Sequence, residues 1–207
     1  MAQIIPHIGG TLKKKLTVFM TILALSFCPV YVSAQANGLL WSLALQNVRT
    51  GDLVPFSIPV QSWTGEQFRL VIQPNAACYA YVIYESPSGD EVAVLFAGAL
   101  KGNEAWYSQI LELAPPRGSE SFYVIASLEE QKVLAQRIAS FNANSSSLQR
   151  RSLMNEVFRI RGEASQFREA PEKPVLMGGA SRGTPDKNQG VEYSGAGAYV
   201  KIINIEH

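Results

Sequence analysis

Apolar and polar residues alternate along much of this chain with the period of two that marks half-buried β-strands. Trp41, Leu43 and Leu45 alternate with Ser42, Ala44 and Gln46, and Gly51-Asp52 then signals a turn. Pro55 and Pro59 argue against a central strand between them. Phe68-Arg69-Leu70-Val71-Ile72 is rich in branched and aromatic residues and reads as the next strand. Pro74-Asn75 turns the chain into Cys78-Tyr79-Ala80-Tyr81-Val82-Ile83-Tyr84, which is apolar on both faces. A strand of that kind belongs in a sheet covered on both sides. Pro87-Ser88-Gly89-Asp90 is a tight turn, and Val92 to Phe96 completes a hairpin. Two more runs follow, Trp106 to Leu113 and Phe122 to Ala126, joined by the stiff segment Ala114-Pro115-Pro116-Arg117-Gly118.

The period then changes. Leu128, Val133, Leu134 and Ile138, with charged residues between them, predict a short amphipathic helix, with Ser127 as its N-cap. Leu153, Met154, Val157, Phe158 and Ile160 predict a second helix within Leu148 to Glu169, weakened or ended at Gly162. Residues 171–197 hold three Pro and six Gly and read as a long irregular loop. A closing strand is expected over residues 198–206. The expected fold is therefore mainly β: an antiparallel, immunoglobulin-like β-sandwich with one or two peripheral helices.

The N-terminal segment has a different pattern. Lys13, Lys14 and Lys15 precede 17 uncharged residues, Leu16 to Val32, and then small residues at Ser33-Ala34. That is the layout of an export signal over residues 1–34. Ala36 offers a second cut, and retention as an anchor is the other reading, although 17 residues is short for a membrane span of about 20. Phe27 before Cys28 argues against a lipoprotein signal. The segment fixes the expected location as exported, periplasmic or cell-surface associated, with no transmembrane segment after cleavage.

Subtracting this segment changes the chemistry. It holds three of the 18 basic residues and none of the 17 acidic ones, so the remaining 173 residues carry a net charge of −2. They suffice for one β-rich domain over residues 38–207. That balance gives no reason to bind nucleic acid. Arg150-Arg151 with Arg159 and Arg161 reads as the solvated face of a helix. Asn144-Ser145-Ser146 matches a glycosylation triplet, a match common by chance. Cys78 is then the one cysteine and His207 the one histidine. An intramolecular disulfide is impossible, and Cys78 reads as a buried small hydrophobe. Nucleophile–histidine and zinc chemistry both lack partners, because a histidine at position 207 after a strand is poorly placed beside a nucleophile. The carboxylates are scattered, and Asp90-Glu91 at a turn reads as solvated. Neither a calcium loop nor a phosphate-binding glycine loop is present. The expectation is a non-enzyme that needs no cofactor or metal.

Aromatic residues remain as candidates. Trp41, Trp63, Trp106, Tyr79, Tyr81, Tyr84 and Tyr107 could stack on sugar or peptide, with core packing the competing role. Trp63, between Ser62 and Thr64, is expected to be exposed, and Trp63 with Tyr107 forms the candidate ligand-binding pair.

From Gly65 to about Arg137 the chain resembles the bacterial domain of unknown function DUF4384. The likeness rests on Phe68 to Ile72, Asn75, Tyr79 to Ile83 and Ser88-Gly89; on Val94-Leu95-Phe96; and on Leu113 to Gly118 leading into Phe122 to Ala126. Ala97 stands where that family tends to have proline. The stretch from Val191 to His207 also looks like the tail of such proteins. The resemblance implies an accessory or structural module of the cell envelope, with another envelope protein or a cell-wall component as partner. It implies no catalytic residues. The alternative is a glycan- or peptide-binding module.

Overall fold

The computed structural model describes residues 39–164, 173–176, 189–195 and 197–207. The export-signal reading of residues 1–34 lies outside them. Among the described residues, twelve strands and two helices follow in chain order. The strands are β1 (Leu39–Asn47), β2 (Leu53–Val54), β3 (Val60–Gln61), β4 (Gln67–Pro74), β5 (Cys78–Glu85), β6 (Val92–Leu100), β7 (Trp106–Tyr107), β8 (Leu111–Glu112) and β9 (Ser119–Ser127). Helices α1 (Lys132–Ala143) and α2 (Ser147–Ala164) come next, then β10 (Lys173–Leu176), β11 (Gln189–Gly195) and β12 (Tyr199–Glu206). No helix among the described residues is long and apolar enough to cross a membrane.

The fold is a β-sandwich with two helices. One sheet runs β10-β11-β1-β4-β7, with β2 on the same edge of β1 as β11, and β8 beside β7 along β4. The other sheet runs β3-β12-β9-β5-β6. All pairings are antiparallel except β3 with β12, which is parallel.

Alternation along the strands builds two cores. Trp41, Leu43 and Leu45 of β1 and Phe68, Leu70 and Ile72 of β4 meet Ala80 and Val82 of β5, Phe122 and Val124 of β9 and Ile203 and Ile205 of β12 between the sheets. The opposite faces of β5 and β9 present Tyr81, Ile83, Tyr123 and Ile125 to Leu134, Ile138 and Phe141 of α1 and Leu153, Val157 and Ile160 of α2. The two apolar faces of β5 are thus each covered, as its sequence implies. Two tyrosine hydroxyls on the helix-facing side are satisfied. The Tyr81 hydroxyl accepts the Gln131 N–H at 3.1 Å, and the Tyr123 hydroxyl donates to Glu85 at 2.7 Å. Arg150 of α2 donates to the Asp90 carbonyl, tying that helix to the β5–β6 turn.

Four expectations need correction. The 171–197 stretch contains a hairpin, β10 with β11, and β11 pairs with β1 from Leu39 to Leu43. Backbone hydrogen bonding completes the open edge of β1 despite the glycine content, and Pro174 sits on the outermost strand, where a missing N–H costs least. Ser127 ends β9 rather than capping α1, and its hydroxyl donates to the Glu129 carbonyl at 2.6 Å. Helix α1 starts later, after Gln131. Helix α2 continues through Gly162, because Leu153, Val157 and Ile160 anchor it from within the second core. The run from Trp106 to Leu113 is two short strands against β4, broken at Ser108, whose hydroxyl accepts the Leu70 N–H at 3.0 Å.

Several buried groups hold their protons more tightly in the folded chain than in the unfolded one. Burial pushes the Cys78 thiol from 9.0 up to about 11. Burial, and then Glu85, raises Tyr123; burial, and then Glu120, raises Tyr84; burial also raises Tyr81. All four shifts are upward, so the unfolded chain releases these protons first as pH rises. Their contribution to stability is complete below about pH 9 and is lost as pH climbs through the raised folded values. Chemical-denaturation midpoints should hold steady up to that point and then fall. A midpoint unchanged to pH 11 would contradict this.

Candidate functional site

Glu120 and His207 carry the unusual chemistry, and both lie in phase with the apolar faces of their strands. Along β9, Glu120 shares the inward side with Phe122, Val124 and Ala126. At the end of β12, His207 follows Ile203 and Ile205 in the same alternation. A reciprocal pair of backbone hydrogen bonds with Gly118, each 3.1 Å, holds His207 in place. Its imidazole is wholly buried, with Nε2 3.2 Å from Glu120 Oε1 and Nδ1 3.2 Å from Thr64 Oγ1. Position 207 is expected from the sequence to be poorly placed beside a nucleophile; instead the ring is fixed 3.2 Å from the Thr64 hydroxyl.

Hydroxyl, imidazole and carboxylate stand here in the order of a hydrolase triad. The ring, however, is enclosed, and the arrangement fastens the β3–β4 connection, β9 and β12 to one another. Glycine at position 118 is required by two features. Its φ is +155°, and a Cβ there would lie 2.5 Å from Pro87 Cβ.

Glu120 is 4% exposed, and its second oxygen, Oε2, is buried without a hydrogen-bond partner. The Tyr84 hydroxyl faces the same carboxylate. After burial, a hydrogen-bond-like approach to this carboxylate and then its charge oppose ionisation of the phenol, while the hydroxyl stays outside good hydrogen-bond geometry with Oε2. Tyr84 packs on Phe122 with ring centroids 5.4 Å apart.

These residues line the inner end of a cleft of about 300 Å³ that takes its walls from both sheets. Leu95, Ile110 and Leu113 supply apolar wall, and Pro87 and the Pro115–Pro116 segment, joined by a cis peptide, complete it. Glu91 and Glu112 also line it, and among the described residues no lysine or arginine does. Leu95 is there because of a bulge: Val82 pairs with Phe96 and Ile83 with Val94, so Leu95 is the extra residue on β6.

The sequence-predicted pair lies elsewhere. Trp63 is 59% exposed in the connection before β4, and Tyr107 is 51% exposed on β7, with the Arg69 guanidinium 5.8 Å from its ring centroid. Neither lines the cleft. Trp41 is buried, as is Tyr81, while Tyr84 is half-buried at the cleft. Among the described residues no cluster of three or more potential metal ligands occurs. Comparison with known proteins finds no matching family model, no matching curated protein and no matching solved structure.

Proposed function

We propose that this chain is an exported interaction module of the bacterial cell envelope, without catalytic activity, that binds an extended segment of another envelope protein. The observation that carries this reading is β6. It runs for nine residues, Val92-Ala93-Val94-Leu95-Phe96-Ala97-Gly98-Ala99-Leu100, with no charge and no proline, and among the described residues it pairs only with β5. Exposed sheet edges are ordinarily guarded by lysine, proline, short length or a bulge, and β6 has only the last, at Leu95. A long uncharged edge beside a cleft suits a partner strand that adds to the sheet through backbone hydrogen bonds and places a side chain in the pocket. The resemblance of residues 65–137 to an accessory domain family favours the same role. Enclosure of the His207 ring and of Cys78 favours the absence of catalysis.

The test is cross-linking of the purified protein to envelope proteins, with mapping of the linked residues. Links should fall along β6 on one defined partner, and the double variant Ala97→Lys, Ala99→Lys, at two exposed positions, should lose that partner at least about tenfold. Unchanged binding by this variant, with loss in Trp63→Ala, would instead favour glycan or peptide stacking on the exposed aromatics.

A further inference from the structure

We propose that the cleft between β8 and the β5–β6 turn binds an alkyl ammonium or guanidinium group, with its charge at Glu120 Oε2 and its stem on Leu95, Ile110 and Leu113. This rests on the binding-module reading above and specifies the group its pocket takes. A buried carboxylate oxygen without a hydrogen-bond donor is costly, and a donor supplied by a ligand removes that cost. A cationic donor does so best, because hydrogen bonds between charged partners are the stronger class.

The rest of the cleft selects the same ligand. Glu91 and Glu112 add negative charge, no basic residue among the described ones lines the walls, and Glu112 is held by a 2.9 Å hydrogen bond from Gln67. Long basic side chains lay their methylenes along apolar surface while the charged head reaches a polar partner, and Leu95, Ile110 and Leu113 supply apolar surface in a cleft that Glu120 also lines. A volume of about 300 Å³ is at the small end for ligand pockets, which fits one side chain or a small amine. A metal ion is a poor competitor, because no cluster of three ligands exists among the described residues.

Calorimetric titration of the full-length chain with n-butylammonium chloride, n-butanol and the capped tripeptides Ala-Lys-Ala and Ala-Gln-Ala tests this. At least one cationic probe should bind about tenfold or more tightly than its neutral counterpart. Preference for the lysine tripeptide over butylammonium identifies a partner's side chain as the source, and the reverse identifies a free amine. Glu120→Gln should abolish the preference. Leu95→Phe, which fills the cleft without touching the Glu120–His207 pair, should block the cationic probes as well. Equal binding of cationic and neutral probes, or full preference retained in folded Glu120→Gln, overturns the inference. Equal binding within both probe pairs would overturn it while leaving the peptide-binding module intact, whereas loss of partner cross-links along β6 with ammonium binding preserved would do the opposite.

Discussion

Replacing Trp41 by alanine should cost about 3–5 kcal/mol of folding stability, the largest loss expected from any single truncation in the sandwich. Trp41 is 2% exposed in the inter-sheet core and meets the Tyr199 ring edge-on at 5.6 Å. It lies on β1, whose neighbours β4 and β11 hydrogen-bond on either side, so the backbone cannot collapse into the space left behind. The cost therefore combines lost transfer energy with an unfilled cavity. Urea denaturation followed by tryptophan fluorescence and circular dichroism measures it. A loss below about 1 kcal/mol would mean that the two sheets are less tightly packed than their burial indicates.

Leu153→Ala should cost about 2–5 kcal/mol, and the form of the transition matters as much as its midpoint. Leu153 is fully buried where α2 meets α1 and the outer face of β5 and β9. If the helices detached first, they would expose Tyr81, Ile83, Tyr123 and Ile125 on the sheet they cover. Such an apolar face has no stable solvated state, so helices and sheets should unfold together. Far-ultraviolet and near-ultraviolet signals should then coincide through one transition. Separate transitions would show that the helical layer is an independent unit.

Much of the architecture was legible because strand periodicity is a local property. The double-sided burial of β5 follows from seven successive apolar residues, and the two helices follow from the spacing of Leu134 and Ile138 and of Leu153, Val157 and Ile160. The β10–β11 hairpin was hidden because β11 pairs with the edge of β1, far earlier in the chain, and nothing local in the sequence marks that partner. The early start given to α1 has a similar origin: Leu128 fits a helical period, but β9 claims the chain up to Ser127 for pairing with β5 and β12.

The site was harder to read. Glu120 and His207 are 87 residues apart, and nothing local joins them. A signal was nevertheless present, since each is a polar residue at a core-facing position of an alternating strand. Trp63 and Tyr107 were read as exposed, and they are, but exposure alone does not bring residues together.

The parallel pairing of β3 with β12 has a kinetic consequence. Gln61 and Glu206, joined at this pairing by a 2.5 Å hydrogen bond, are 145 residues apart. Every contact of this kind closes a very long loop before it returns any stabilisation, and topologies dominated by such contacts fold slowly, on the scale of milliseconds to seconds. Until β12 arrives, β9 has a bare edge, and until β11 arrives, so does β1. For that interval the chain carries two long apolar strands able to pair with neighbouring molecules, and its yield in refolding should fall as protein concentration rises.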